Sequence, residues 1–294
     1  MALTYNKLYK RFFAFHDCLV IFGVFGLCNR RPFFLVPNGN ASFQSAKSCL
    51  IDSGGQFINL LRMNTPTYDV LFFDLDGTLW DFEANADIAL EIIYLKYGIA
   101  THCPRFHKFS KVYKRENTRL WALYRKGLVQ KTEVSHGRFE RTLRSFGADT
   151  TKVPEIAEDF LEQLALQSIL LDGALEVLDY LKTKYRLAII TNGFEEVQYK
   201  KMTASGLLAY FEKVITSEHA KALKPARAIF DLAMAEMQTT ADRSLMIGDD
   251  HTADIQGARQ SGLAQVWLTR AAKPRGKASY VISDLRQLLT IAGL

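Results

Sequence analysis

From residue 68 onward the chain alternates two kinds of apolar pattern. Short, nearly unbroken apolar runs fall at 68–75, 187–190, 213–216, 244–247 and 265–268, each the length of a strand covered on both faces. Before each of the later runs, apolar residues recur at helical spacing, over 174–184, 195–205, 226–237 and 254–261. Such alternation predicts an α/β fold, a doubly wound parallel sheet with helices on both faces. One interval departs from it. After the first strand come four helical patterns, at 84–97 and about 105–126, 132–146 and 153–168, with no strand among them. Gly98, Gly127 and Gly147-Ala148-Asp149 separate them, and Pro154 suits a helix start. Residues 82–170 are therefore expected as an all-helical insert, and 63–81 with 171–294 as the α/β core.

The first 62 residues do not share the pattern. They carry seven Lys/Arg against two acids, and three of the four cysteines, Cys18, Cys28 and Cys49. Lys7, Lys10 and Arg11 precede a largely apolar stretch over 12–28, whose uninterrupted part begins at Cys18. A secretory signal, a short membrane anchor and an extension foreign to the natural product all fit such a segment. The last is preferred, because the stretch is short for a span and Asn29-Arg30-Arg31 follows it instead of a small-residue cleavage site. The functional chain is expected to begin at Met63.

Removing that segment changes the charge picture. The whole chain is +6, but the body beyond residue 62 holds 30 basic and 29 acidic residues. A near-neutral body gives no electrostatic reason to expect nucleic-acid binding. Its single cysteine, Cys103, cannot form an internal disulfide framework, which fits a reducing, cytoplasmic setting.

The chemistry collects where strands end, the ligand-binding edge of such sheets. Asp74-Leu75-Asp76-Gly77-Thr78 follows the first strand, Thr191-Asn192-Gly193 the second, Lys224-Pro225 comes after the third, and Gly248-Asp249-Asp250 with Asp254 follows the fourth. In extended chain Asp74 and Asp76 can share a face, where paired carboxylates call for a cation. Clustered aspartates without His or Cys suit a hard, oxygen-loving ion, with Mg²⁺ the natural candidate. Thr191 supplies a hydroxyl, Gly193 close backbone approach, and Lys224 a point charge, as a phosphate requires. Singly, each motif has a plain reading: a turn at Asn192-Gly193, a solvated lysine, a helix N-cap after Gly248. Together they match a phosphoryl transfer through an aspartyl-phosphate.

These motifs resemble those of the haloacid dehalogenase superfamily, over residues 68 to about 270. The resemblance implies a Rossmann-like core with a helical cap formed by the insert. It makes Asp74 the nucleophile and Asp76 the general acid, then base. Asp249 would bind Mg²⁺ with the Asp74 carboxylate and the Asp76 carbonyl. Thr191, Asn192, Gly193 and Lys224 would hold the phosphoryl group, and Asp254 would support the metal or Lys224. Asp250 stands where that family often has Ser, Thr or Asn, so its role stays open. Asp76 favours a phosphatase over a dehalogenase, since an alkoxide leaving group needs a proton.

Three stretches, 74–86, 191–202 and 217–228, further resemble bacterial pyrimidine 5′-nucleotidases that hydrolyse noncanonical nucleotides. The implied substrate is a small phosphomonoester, a pyrimidine nucleoside 5′-monophosphate, with no nucleic-acid or membrane partner. The rivals are a phosphatase or mutase of sugar or organic-acid phosphates, and a binding module without turnover. Trp80 and Phe82 either stack on a base or pack the cap–core hinge. The stretch 115–125 reads as a solvated helix with a buried Leu-Trp-Leu stripe. His251, inside the fourth motif, reads as a rim residue.

Overall fold

The computed structural model describes residues 68–272 and 274–291. Of the preceding segment it assigns only two antiparallel strand pairs, Phe13–Phe15 with Cys18–Val20 and Cys49–Ile51 with Phe57–Asn59. The expected start at Met63 and the signal and anchor readings of 12–28 fall outside the described residues. Among the described residues, no helix is long and apolar enough to cross a membrane.

Six parallel strands form the sheet: β1 Val70–Phe73, β2 Arg186–Thr191, β3 Lys213–Thr216, β4 Ser244–Gly248, β5 Ala264–Leu268 and β6 Tyr280–Ile282. Their order is β6-β5-β4-β1-β2-β3. The α/β class expected from the apolar runs is the one found. The first strand is shorter than the run 68–75, and β6 was not expected at all. Its three residues follow a polar stretch and carry too little pattern to announce themselves.

Alternation explains the core. Leu71 and Phe73 of β1 join one apolar cluster, Val70 and Phe72 the other, one on each face of the sheet. Helices α5 Ala174–Leu181 and α6 Glu195–Ala204 pack residues into the first cluster. Helices α7 Arg227–Glu236 and α8 Gly257–Gln260 pack into the second. Cys103, buried and without a disulfide, joins the first cluster.

The chain runs from β1 outward through β2 and β3, then returns to place β4 on the other side of β1. Strand order therefore reverses beside β1, and the crevice outside its carboxyl end is where such a sheet binds ligands.

The insert holds four helices: α1 Phe82–Lys96, α2 Phe106–Arg125, α3 Lys131–Ser145 and α4 Val153–Ala165. All four fall within three residues of the ranges read from the sequence. The chain leaves the core and returns to it through one paired crossing. Asp81 N donates to Ile169 O at 3.0 Å and Leu171 N to Leu79 O at 2.9 Å. Asn85, fully buried, joins the two crossings: its Nδ2 donates to Asp81 O and Ile169 O, and its Oδ1 accepts from Ile169 N. Trp80 is fully buried beside them, with its Nε1 on Gln167 O at 3.3 Å. Of the two readings of Trp80, the structure shows the hinge packing.

Candidate active site

The turn after β1 shapes the site. Thr78, Leu79 and Trp80 all donate to Leu75 O, and Gly77 N donates to Trp80 O, which closes a tight loop. Gly77 adopts φ +89°, and a Cβ there would lie 2.6 Å from Asp249 Oδ2, so no other residue fits without displacing Asp249. The loop places Asp74 and Asp76 on the wall of a cavity of about 620 Å³ between the sheet edge and the insert.

Asp74 and Asp76 line that cavity with different partners. Asp74, 8% exposed, accepts from Lys224 Nζ at 2.5 Å. Lys224, 1% exposed, also donates to Ile190 O at 2.6 Å and pairs with Asp254 Oδ1 at 2.7 Å. Asp76 instead accepts from Lys201 Nζ at 2.7 Å and Gln198 Nε2 at 2.9 Å. The same Gln198 amide donates to Thr191 Oγ1 at 2.7 Å, which also accepts from Gly193 N at 3.0 Å. Asn192 holds the Lys224 backbone on both sides, accepting from its N at 2.7 Å and donating to its O at 3.0 Å. Thr191, Asn192, Gly193 and Lys224 all line the cavity with the aspartates.

Carboxylate oxygens of Asp74, Asp249 and Asp254 lie within 4.8 Å of one another. Burial pushes all three toward the protonated form: Asp74 well above the ordinary carboxylate value, Asp249 to about 7, and Asp254 upward. Each also feels its neighbours' negative charge, and Lys224 opposes the shift without cancelling it. One ammonium cannot balance three carboxylates. The all-oxygen donor set and its excess charge fit a divalent hard cation such as Mg²⁺.

Asp250 stands apart from this cluster. Its Oδ1 accepts from Thr252 N and Ala253 N, capping a π-helix over His251–Gln256 where an α-helix from 254 was expected. Its other oxygen lies 3.3 Å from Arg125 of α2, so it also ties the sheet edge to the insert. His251 packs on Trp267, with ring centroids 4.6 Å apart and its Nε2 buried, instead of standing at the rim.

Residues 68–262 match the model of the haloacid dehalogenase-like hydrolases. The chain belongs to that family. It is therefore a hydrolase, and the family's α/β fold is the one described above. The chain is 32% identical to pyrimidine 5′-nucleotidase YjjG of Escherichia coli, over 75% of this chain and 96% of that protein. It is 33% identical to pyrimidine 5′-nucleotidase PynA of Streptococcus pneumoniae, over 68% and 83%. HAD-hydrolase YfnB of Bacillus subtilis is 31% identical over 75% and 92%. Its magnesium-bound crystal structure superposes with a TM-score of 0.72 at 29% identity, covering 77% of this chain and 99% of that one.

Two site residues escaped the sequence reading. Gln198 and Lys201 lie on the buried face of α6, both 3% exposed or less. The signal was present as polar residues at i and i+3 beside Val197 and Met202 on one helical face. Trp121 differs from expectation as well. Within 115–125 the buried residues are Leu120 with Glu116 and Asn117, while Trp121 is half-buried and lines the cavity.

Proposed function

We propose that this hydrolase cleaves a phosphomonoester through an aspartyl-phosphate on Asp74, and that its substrate is a pyrimidine nucleoside 5′-monophosphate. The observation that carries the reaction type is the division of labour at one cavity wall. Asp74 sits among Lys224, Asp249 and Asp254, whereas Asp76 is held separately by Lys201 and Gln198. The two relatives named pyrimidine 5′-nucleotidases support the substrate class.

In the first step an Asp74 carboxylate oxygen attacks phosphorus, and the ester oxygen departs as Asp76 gives it a proton. In the second, the Asp76 carboxylate takes a proton from water, whose oxygen attacks phosphorus and frees Asp74. Lys224, fixed by Asp74 and the Ile190 carbonyl, offsets phosphoryl charge. Thr191 Oγ1 and the amides around Gly193 face the phosphoryl oxygens. Asp74 and Asp249, with the Asp76 backbone carbonyl, would hold Mg²⁺, with Asp254 in support, and the ion would draw charge from the phosphoryl group. Residues 82–170 serve as a cap over the core formed by 63–81 and 171–294. Arg125 against Asp250, and Lys131 against Glu196 and Glu218, join the two.

Phosphate release from uridine and thymidine 5′-monophosphates and from sugar phosphates, with Mg²⁺, tests this reading. Release from the pyrimidine nucleotides is expected, and EDTA and Asp74→Asn should each abolish it. Release from sugar phosphates alone would keep the chemistry and overturn the substrate. No release from any ester by folded, Mg²⁺-supplied protein would overturn both.

A further inference from the structure

Helix α2 turns one face to the cavity. Lys114, Asn117, Trp121 and Arg125 recur at helical spacing and all line it. Asn117 is 8% exposed, and its Oδ1 accepts from Arg138 Nη1 at 3.0 Å. Arg138, on α3, is 2% exposed. Its Nε donates to Ser135 O at 3.3 Å, and its guanidinium lies 5.6, 5.8 and 4.9 Å from the ring centroids of Tyr113, Phe139 and Phe160. No carboxylate pairs with Arg138 among the described residues.

That arrangement dictates which way the Asn117 amide points. A guanidinium has donors only, so an amide in contact with it must offer its oxygen. The Asn117 NH₂ group is then left over. It donates to no group among the described residues, and its residue lines the cavity. Burying an arginine without a counter-charge is costly. The contacts Arg138 makes do one thing for the cavity: they fix that amide.

One helical turn further on, Trp121 lines the same wall. Its ring packs on Phe194, with centroids 5.5 Å apart and 32° between the planes. Phe194 follows directly on the Thr191-Asn192-Gly193 motif. A fixed donor and an aromatic ring on one wall fit a flat ring bearing a carbonyl oxygen.

We infer that Asn117 and Trp121 form the base subsite of this enzyme, with Asn117 Nδ2 donating to a ring carbonyl of a pyrimidine and Arg138 as the positioning residue behind it. The inference rests on the nucleotidase reading and adds to it the edge of the base that is recognised. Uracil and thymine carry carbonyls at positions 2 and 4, cytosine at 2, and adenine none. The subsite therefore accepts the first two best and rejects adenine, because a donor built for a carbonyl is left unpaired by a ring without one.

The test is steady-state kinetics of the full chain and of Asn117→Asp with Mg²⁺, on uridine 5′-monophosphate and ribose 5-phosphate. Aspartate keeps the volume and still accepts from Arg138, but it turns an acceptor toward the base. The KM for the uridine nucleotide should rise about tenfold or more, while kcat/KM for ribose 5-phosphate should stay within about twofold. Arg138→Met, which frees the amide to rotate, should weaken discrimination in the same sense. Should Asn117→Asp not fold, the double variant Asn117→Leu, Arg138→Met removes both polar partners at similar volume and is expected to show the same rise in KM. An unchanged uridine KM would overturn the inference and leave the nucleotidase reading standing. An equal loss on both substrates would make Asn117 a merely structural residue and overturn it too. Wild-type protein that cleaves ribose 5-phosphate but no nucleotide would remove the reading on which it rests.

Discussion

Lys224→Met gives the sharpest test of how the acidic cluster is held together. Lys224 is buried and touches Asp74, Asp254 and the Ile190 carbonyl. Methionine fills the space of the stem but removes the charge, leaving three carboxylates facing one another. Breaking a buried ion pair by deleting one partner costs about 3–5 kcal/mol. For a folded body of this size, each kcal/mol moves Tm by about 2–4 °C, so the metal-free variant should melt about 6–20 °C lower at pH 8. The pH dependence follows from the carboxylates. Burial raises Asp74, Asp249 and Asp254, with Asp249 at about 7. The folded state therefore binds more protons than the unfolded one between the ordinary carboxylate range and about pH 7. Stability falls as pH rises through that window and recovers as pH falls. The deficit of Lys224→Met should shrink toward pH 5, and Mg²⁺ at pH 8 should raise the Tm of the variant more than that of the wild type. The assay is thermal unfolding at both pH values, with and without Mg²⁺. A variant within about 2 °C of the wild type at pH 8 without metal would refute the idea that Lys224 restrains this charge. So would a deficit that ignores pH.

Two further outcomes follow. Lys201→Met removes the ammonium beside Asp76 without touching the Asp74 cluster; kcat should fall about tenfold or more with KM within about threefold, as expected for a group that serves proton transfer, and a change confined to KM would contradict this. Asn85→Ala leaves the Ile169 N–H and C=O and the Asp81 carbonyl without their side-chain partner; chemical denaturation should show a loss of about 2–4 kcal/mol, and a loss below about 1 kcal/mol would mean that the crossing is held by its backbone bonds alone.

The order of elements and the motif positions were legible because they depend on local pattern. A strand buried on both faces must be apolar throughout, so Val70–Phe73 and Ser244–Gly248 stood out, and the aspartates at their ends could be placed on one edge. Helix orientation was not legible. Glu195–Ala204 carries polar residues all round, and only packing reveals that Gln198 and Lys201 face inward toward Asp76. Trp121 was hidden for the same reason, since a ring next to Leu120 looks like core until the cavity beside it is seen. Asp250 was legible in part: the N-cap reading of the motif after Gly248 is what its carboxylate does, but apolar spacing put the helix start at 254 instead of His251.

The paired crossing at residues 79–81 and 169–171 has a consequence for how this chain diverges. The ends of the helical insert are hydrogen-bonded to each other at the exit from the sheet. A segment whose ends already meet can be lengthened, shortened or exchanged with little added loop-closure entropy. The length of the insert can therefore change away from its cavity-lining face while the aspartates at its foot keep their positions.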